Sequence, residues 1–416
     1  MDNLTKIRQK LGEIMFLGFK IKNYLSIHDE AKISFQLSAS QKLDDSSVTM
    51  SDVHVNKLAG VVGPNAAGKS NLLRGIVLFS IFVRDSYRGI LSPYSPHFFS
   101  SEAPSSFGAD FIQNDEIYSY SIEIKKDEIL SERLRRMNKK TKRYKDVFQR
   151  VGNKLENVAF KVNPEDEKRL DGSITAFSLL KHLNYFKTNG FEGDAFGALL
   201  QNVLSSSPFI QRQPEFLHLN AFAEILEKDP ELLKILNKEL CEIDTGIDEI
   251  TITDGALSLF AQGNQKVFND QNLKVLTAIH HYQEKTAATP IFSESNGTIF
   301  YMQLFASIVN VLKEGGLLIA DELETSLHID LVERILNLFL KKETNPNNAQ
   351  ILFTTHNPWF LQYLTKTQIF ITQKKEDLGT ECFRLDEVEG VRNDENFFMK
   401  YISGEYEGKP RIKGEQ

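Results

Sequence analysis

Apolar and polar residues alternate near the start of the chain and again after its first hundred residues, a pattern typical of half-buried strands. Residues 15–37 predict two short strands joined by a polar turn, and residues 107–151 predict further antiparallel strands. Between them, the apolar run at 57–62 precedes a glycine-rich loop and then helix-spaced leucines and isoleucines at 70–82. The first part of the chain therefore predicts a β-rich lobe that contains one strand–loop–helix unit.

The periodicity becomes helical between about residues 163 and 241, where glycines and prolines separate the helices. Beyond this segment, residues 246–268 predict one or two hairpins, and residues 298–312 predict a helix that leads into a buried strand at 317–321. The rest of the chain alternates helix and strand again. We predict an α/β fold in which a mixed sheet and an antiparallel β-subdomain are joined by a helical insertion lobe.

These changes of pattern predict four segments. They are an N-terminal helical extension at 1–14, a first lobe at 15–160, a helical insertion or lid at 161–245, and a second lobe at 246–416. The insertion lacks a long heptad run, so we expect a compact lid rather than a coiled-coil arm.

Composition narrows the class of protein. The chain has 416 residues, of which 41% are hydrophobic and 25% charged, so it can bury a large core. Its net charge of −7 gives no overall attraction to nucleic acid, and contact with DNA would need a local basic patch. Two distant cysteines, no signal-like start and no membrane-length apolar run predict a cytoplasmic protein that does not contact the membrane.

The strongest motif is a loop of the form G-x-x-x-x-G-K-S between a predicted strand and a predicted helix. Its residues are Gly63, Pro64, Asn65, Ala66, Ala67, Gly68, Lys69 and Ser70, and Asn71 follows in the helix. In such loops backbone N–H groups hold phosphates, the lysine contacts the β- and γ-phosphates, and the serine hydroxyl ligates Mg²⁺. We expect residues 63–71 to bind nucleotide, with Ser70 as a metal ligand.

Two carboxylates follow the apolar strand at 317–320. Asp321 is expected at the metal ion, and Glu322 beside the γ-phosphate as the catalytic group that orients and polarises the attacking water. Alone, this pattern could be only a strand and a turn. Behind a phosphate-binding loop it indicates nucleotide hydrolysis.

A histidine, His356, ends the next apolar strand at 351–355. Because the carboxyl ends of parallel strands meet at one edge of a sheet, His356 can reach the γ-phosphate or the attacking water. A structural histidine is the alternative. Its order behind the Asp-Glu strand favours the catalytic interpretation.

The phosphate-binding loop, the Asp-Glu strand and the strand-end histidine, in this order and with a large insertion, resemble the ABC-type ATPase heads of the SMC, RecF and OLD group. The resemblance covers nearly the whole chain outside the insertion and implies a P-loop NTPase that binds ATP and Mg²⁺. It also implies a signature loop that reaches the nucleotide of the opposite subunit. Ser295 and Gly297 occupy that place, although a plain helix N-cap is the alternative.

Other segments resemble the same group. Residues 324–328 sit where the family has its dimer-contacting D-loop, and Asn23 lies in a start that resembles the nucleotide-edge strand, which implies that it contributes to cofactor binding. Residues 401–410 resemble the tail of abortive-infection ATPases of the AbiL type and of the PARIS ATPase subunit. No glutamine is placed as the family's Q-loop ligand, because Gln113 lies in a predicted strand.

The resemblance implies that ATP is sandwiched between two copies, giving a homodimer or a higher homo-oligomer. Our first hypothesis is an anti-phage, abortive-infection ATPase that controls a separately encoded effector, a nuclease or toxin, and that responds to a phage protein. The alternative is a RecF- or SMC-like ATPase of DNA repair or maintenance. The basic stretch at 133–150 could grip DNA phosphates, but a solvated hairpin is the favoured interpretation.

Overall fold

A computed structural model describes residues 14–37, 41, 43–189, 216–243, 245–254, 257–261, 264–268, 274–325, 327–406 and 408. The predicted N-terminal extension lies outside the described residues except for Ile14, as does the stretch of the predicted insertion at 190–215.

The strands are β1 (Ile14–Lys22), β2 (Ala31–Ser34), β3 (Ser47–Met50), β4 (Val53–Asn56), β5 (Leu58–Val62), β6 (Ser105–Gln113), β7 (Glu116–Lys125), β8 (Glu128–Met137), β9 (Tyr144–Val151), β10 (Lys154–Glu156), β11 (Glu249–Asp254), β12 (Leu257–Ala261), β13 (Asn264–Phe268), β14 (Lys274–Tyr282), β15 (Lys285–Pro290), β16 (Leu317–Ala320), β17 (Gln350–Thr355), β18 (Ile369–Lys374) and β19 (Thr380–Arg384).

The α-helices are α1 (Lys69–Asp85), α2 (Pro164–Glu167), α3 (Ala176–His182), α4 (Tyr185–Thr188), α5 (Phe216–Lys228), α6 (Pro230–Glu242), α7 (Asn296–Glu314), α8 (Ile329–Leu340) and α9 (Phe397–Ser403). Short 3₁₀ turns occupy Ser86–Arg88, Phe98–Ser100, Ile291–Ser293, Pro358–Tyr363 and Leu385–Glu387.

Two compact units contain these elements. The first comprises residues 1–208, 311–324 and 336–416, and the second comprises residues 209–310 and 325–335. The helices α2, α3 and α4 of the predicted insertion lie in the first unit, and α5 and α6 lie in the second. The boundaries expected at 161 and 246 stay predictions.

A five-stranded sheet in the first unit has the order β16-β17-β5-β18-β19. The strands β16, β17, β5 and β18 are parallel, and β19 closes the edge antiparallel to β18. Every residue of β5, β16 and β17 is buried, as their apolar sequences predict. The carboxyl ends of these three strands therefore meet at one edge of the sheet.

The predicted antiparallel β-subdomain is a sheet of the order β10-β9-β8-β7-β6-β1-β2. Its inward-facing residues share one core with α1, the helix that follows the glycine-rich loop. The rings of Phe79 on α1 and Phe107 on β6 stack with centroids 5.8 Å apart. This packing fixes the helix that carries the loop. Together, the mixed sheet and the antiparallel sheet confirm the predicted α/β fold class.

A buried carboxylate attaches α3 to this sheet. Glu132 on β8 accepts hydrogen bonds from the backbone N–H groups of Ala176 at 2.6 Å and Phe177 at 2.9 Å, and from the Tyr120 hydroxyl at 2.8 Å. Arg150, fully buried, lies 3.8 Å away. Burial raises the pKa of Glu132, although Arg150 acts in the opposite direction. The carboxylate therefore caps α3 and ties it to the first unit.

The second unit places α5 and α6 on the sheet β11-β14-β15. The side-chain amide of Asn237 on α6 exchanges two hydrogen bonds with the backbone of Ile250 on β11, at 2.8 and 3.1 Å. Asn220 on α5 donates to the Lys274 carbonyl at the start of β14, at 3.0 Å. Among the described residues, none of the helices has the length and apolar character needed to cross a bilayer.

Candidate functional site

The glycine-rich loop between β5 and α1 closes around the amine of Lys69. This side chain is buried, and its Nζ donates to the carbonyls of Gly63 at 2.7 Å and Pro64 at 3.1 Å. Burial lowers the pKa of Lys69, whereas the nearby carboxylates of Asp321 and Glu322 act in the opposite direction. The Lys69 amine is therefore held at the centre of the loop, close to acidic groups.

Two glycines of the loop are required by its geometry. A Cβ at Gly63 would collide with the backbone carbonyl and the hydroxyl of Thr372 on β18. Gly68 has φ +101°, and a Cβ there would collide with the hydroxyl of Thr380 on β19. The loop thus lies in close contact with β18 and β19, which sequence spacing alone did not indicate.

The amino end of α1 presents backbone N–H groups at this loop. Gly68 is the N-cap and offers no side chain to the first turn, where Ser70 and Asn71 lie. Free N–H groups and the helix dipole make such an end an anion site. The amide of Asn71 donates to the Ser26 hydroxyl at 2.8 Å, so Asn71 also anchors the turn that follows β1.

The two acids at the tip of β16 are organised by Thr354 on the neighbouring strand β17. The Thr354 hydroxyl donates to Asp321 Oδ1 at 2.6 Å and accepts from the backbone N–H of Glu322 at 2.7 Å. Glu322 has φ +49°, a left-handed conformation that is unfavourable for a side chain of this size. Thr354 therefore fixes the carboxylate of Asp321 and the backbone of Glu322.

His356 connects this acidic tip to the glycine-rich loop. Its Nδ1 lies 3.1 Å from Lys69 Nζ, and its Nε2 lies 3.3 Å from Glu322 Oε1. Because an ammonium group can only donate, Nδ1 accepts and the proton of a neutral imidazole sits on Nε2, facing Glu322. The backbone N–H of His356 donates to Glu324 Oε1 at 2.6 Å. The two ring nitrogens of His356 thus connect Lys69 to Glu322.

Glu324 is the first residue of the predicted D-loop, and it also supports the histidine. Its Oε1 accepts the N–H groups of His356 and Asn357, at 2.6 and 3.3 Å. Within the described part of the chain, its buried Oε2 has no hydrogen-bond partner. The positioning role of Thr354 was not predicted from the sequence, and Glu324 was assigned only to the predicted D-loop. A polar residue inside the apolar strand β17 was the available signal for Thr354.

The side chain of Asn23 is fully engaged with the chain itself. Its Nδ2 donates to the carbonyls of Ser100, Ala103 and Pro104, and its Oδ1 accepts from the His97 backbone at 3.0 Å. Asn23 therefore holds the connection that precedes β6. Direct contact between Asn23 and nucleotide stays a prediction.

A second polar network fastens the turn after β1 to the β18–β19 turn. His28 Nδ1 lies 2.7 Å from Asp377, and its Nε2 lies 2.7 Å from the Ser100 hydroxyl. The bond from His28 lowers the pKa of the Asp377 carboxyl. Closer to the loop, the hydroxyls of Ser26 and Thr380 are 2.8 Å apart. These contacts hold together the segments that surround Gly68.

Ser295 and Gly297 lie in the second unit, at the start of α7. The Ser295 hydroxyl is exposed and accepts the backbone N–H of Thr298 at 3.0 Å, which is N-cap geometry. The neighbouring Glu294 carboxylate lies 2.9 Å from the Thr289 hydroxyl and 3.1 Å from His280 Nε2. The loop is therefore well anchored, and its contact with nucleotide stays a prediction.

Gln113 is buried at the end of β6, where it pairs with Glu116 of β7. The family's Q-loop ligand therefore stays unassigned.

A glycine-rich loop between a buried parallel strand and a helix, with acids and a histidine at neighbouring strand tips, defines a P-loop NTPase. Residues 58–361 match the family described as "AAA domain, putative AbiEii toxin, Type IV TA system". The match covers more than half of the chain, which therefore belongs to this family. The predicted relationship to ABC-type ATPases of the abortive-infection kind is confirmed.

Solved structures give a more distant similarity. The chain is 12% identical to an SMC head bound to the C-winged helix domain of ScpA, with a TM-score of 0.40 over 90% of this chain and 99% of that chain. It is 11% identical to the SMC head domain from Thermotoga maritima, with a TM-score of 0.40 over 89% and 98% of the two chains. Among curated proteins, none matches the chain.

Proposed function

We propose that this protein hydrolyses ATP and that binding and hydrolysis switch the association of two copies of the chain. The observation that supports this is that His356 contacts both Lys69, at 3.1 Å, and Glu322, at 3.3 Å. A phosphate-binding amine and a general base joined through one imidazole suit the attack of water on a γ-phosphate. A histidine with only a structural role would not need to contact both a lysine amine and a carboxylate.

ATP would lie with its phosphates against the backbone N–H groups of the loop and the amino end of α1. Lys69 would contact the β- and γ-phosphates, because its amine already faces acceptors inside the loop. Ser70, in the first turn of α1, and Asp321, held by Thr354, offer the oxygen ligands that suit Mg²⁺. A bound Mg²⁺ would neutralise charge on the phosphate oxygens.

Glu322 would orient and polarise the water that attacks the γ-phosphate. Its carboxylate is partly exposed, so water can reach it, and its backbone is fixed by the Thr354 hydroxyl. His356 carries an N–H that faces Glu322 and can donate to the γ-phosphate or to that water. Together these groups stabilise the charge that develops as the phosphate is transferred.

A second copy would complete the site. Ser295 and Gly297 offer a hydroxyl and backbone N–H groups at the amino end of α7, a suitable surface for a γ-phosphate from another subunit. A symmetric pair would then contain two ATP sites. Hydrolysis removes the bridging phosphate, so the two copies would lose their shared contact.

We further propose that this switch serves anti-phage defence by abortive infection. The family to which the chain belongs is described by its toxin and Type IV toxin–antitoxin context. In this role the ATP-bound assembly holds a separately encoded effector, a nuclease or toxin, and a phage protein triggers its release.

The alternative, an ATPase of DNA repair or maintenance, depends on the basic stretch at 133–150. Several of its cations face acids: Arg133 lies 2.6 Å from Asp146, and Arg136 lies 3.1 Å from Glu116. These pairs reduce the charge that would attract DNA phosphates, so they favour the defence proposal.

Two substitutions test the ATPase proposal. Lys69→Ala is expected to abolish ATP binding, whereas Glu322→Gln is expected to keep binding, stop turnover and stabilise the ATP-bound dimer. Nucleotide titration, phosphate release and light scattering with and without ATP measure these effects. Normal hydrolysis by Glu322→Gln would show that the assigned base is wrong.

The defence proposal needs a cellular measurement. The gene and its genomic neighbour, introduced together, are expected to lower phage plating, and Lys69→Ala is expected to remove that protection. Unchanged plating with the intact pair, together with ATP-dependent and salt-sensitive DNA binding by the purified protein, would favour the repair alternative.

A further inference from the structure

A buried carboxylate in the second unit connects three helices. Glu239 on α6 has a side chain only 8% exposed. Its Oε1 accepts from the Tyr301 hydroxyl at 2.5 Å and from Arg334 Nε at 2.7 Å, and its Oε2 accepts from Arg334 Nη2 at 2.8 Å. Arg334 also donates to Glu242 at 2.5 Å. We call Glu239, Tyr301, Arg334 and Glu242 the Glu239 network.

The two partners of Glu239 lie close behind the segments expected to contact a second copy. Tyr301 lies within the first two turns of α7, which begins directly after Ser295. Arg334 lies within the first two turns of α8, which begins directly after the predicted D-loop at 324–328. At about 1.5 Å of rise per residue, each partner is roughly 9 Å along its helix from the loop that precedes it.

The same two loops line one cavity of the second unit. The cavity has a volume of about 390 Å³. Ser295 and Gly297 line it on the α7 side, Leu327 and Leu331 line it on the α8 side, and Tyr301 also contributes. The residue that ties α7 to Glu239 therefore lines the space that both loops share.

The bonding of the Glu239 network resists relative movement of the helices. The bidentate pair fixes the direction of Arg334 as well as its distance, because both guanidinium donors must meet both carboxylate oxygens. Burial raises the pKa of Tyr301 and the bond to Glu239 adds to this, so its hydroxyl keeps the proton that it donates. Moving either helix would leave a buried charge without its partner, which is costly.

We propose that Glu239 is a positioning residue, which holds the signature loop and the D-loop in one fixed arrangement so that both engage a second copy together. The inference rests on the proposed ATP sandwich. The α6 helix thus has a role in turnover although it contributes no group to the phosphates. Displacement by about 1 Å of a group that contacts a reacting phosphate can reduce turnover by up to about a hundredfold.

The test uses Glu239→Gln, which keeps the shape of the side chain but removes its charge, and Tyr301→Phe, which removes only the hydroxyl. The first unit offers a matched control, because Glu132 is also a buried carboxylate bonded to a tyrosine hydroxyl and lying near an arginine. Glu132→Gln should lower stability without affecting the two loops. Each variant is measured in the full chain for melting temperature, nucleotide affinity, turnover per folded molecule and ATP-dependent dimerisation.

Both network variants are expected to bind nucleotide within about twofold of the wild type, because Lys69 and its loop are unchanged, and to lose about tenfold or more in turnover. ATP-dependent dimerisation should weaken in parallel. Glu132→Gln is expected to melt at a lower temperature but to turn over normally per folded molecule.

If the wild-type protein hydrolyses ATP and both Glu239→Gln and Tyr301→Phe turn over at the wild-type rate, the inference is overturned. The same conclusion follows if all three variants lose turnover only in proportion to lost folded protein. A wild-type protein that neither binds ATP nor hydrolyses it would instead contradict the proposed function, so the two failures are distinguishable.

Discussion

The hydroxyl of Thr354 lies 2.6 Å from Asp321 Oδ1, and it accepts the backbone N–H of Glu322 at 2.7 Å. One neutral side chain on β17 thus holds the Asp321 carboxylate and the Glu322 backbone at the tip of β16. Since the two strands are parallel neighbours, this contact joins the predicted metal ligand and the predicted base to the strand that ends at His356.

Replacing Thr354 by valine should therefore impair turnover more than folding. Thr354→Val leaves the Glu322 N–H without its acceptor, at a cost of about 1–3 kcal/mol in the free energy of unfolding. Release of the Asp321 carboxylate and of the Glu322 backbone should lower turnover by about tenfold or more. Steady-state phosphate release and denaturant melts measure both effects. Thr354→Ser keeps the hydroxyl and should remain near wild type; a serine variant as impaired as valine would argue against this role.

Gly68 and Gly89 form a matched pair for testing the loop. Both have positive φ, +101° and +82°, but a Cβ would collide with Thr380 only at Gly68, whereas it meets open space at Gly89. Each change to alanine should cost about 1–2 kcal/mol in backbone strain. Only Gly68→Ala should also abolish nucleotide binding, measured by titration calorimetry. Equal affinity in the two variants would contradict the close contact between the loop and β19.

Asn23→Ala separates a structural role from a direct contact with nucleotide. The loss of its bonds to the segment at 97–104 should lower the free energy of unfolding by about 1–3 kcal/mol. If its role is to hold that segment, the folded variant should keep its nucleotide affinity within about twofold. A large loss of affinity without a change in melting would instead support the contact implied by the sequence.

The two cysteines should differ in reactivity. Cys241 is exposed, whereas burial raises the pKa of Cys382 on β19 to about 12. Since the thiolate is the reactive form and a raised pKa keeps the thiol protonated, Cys382 should resist a disulfide reagent at pH 8 until the protein unfolds. Cys241→Ser should then remove nearly all rapid labelling. Fast labelling that survives in that variant would show that β19 is more accessible than the fold implies.

Local motifs were the part of the site that the sequence could predict. The loop from Gly63 to Ser70 is contiguous, and its flanking strand and helix follow from short-range periodicity. Asp321, Glu322 and His356 follow from apolar strands whose ends must meet at one edge of a parallel sheet. The structure places these three residues near Lys69, as the parallel order of the strands implies.

Contacts between distant residues were beyond such reasoning. Glu239 and Arg334 are separated by 95 positions, and nothing in either local sequence indicates the other. The attachment of the first helices of the predicted insertion is a related case. The helical pattern around 176–182 was correct, but its attachment depends on Glu132, a residue in a strand 44 positions earlier than Ala176. Periodicity predicts an element and gives no information on which surface it joins.

The left-handed backbone of Glu322 affects stability as well as catalysis. At φ +49°, glycine or asparagine would have less backbone strain than glutamate, and neither residue carries a carboxylate. A search for heat-resistant variants of this protein should repeatedly recover Glu322→Gly, and every such isolate should be catalytically silent. At residue 322, thermal stability and catalytic turnover therefore favour different side chains, and this chain has the one that turnover needs.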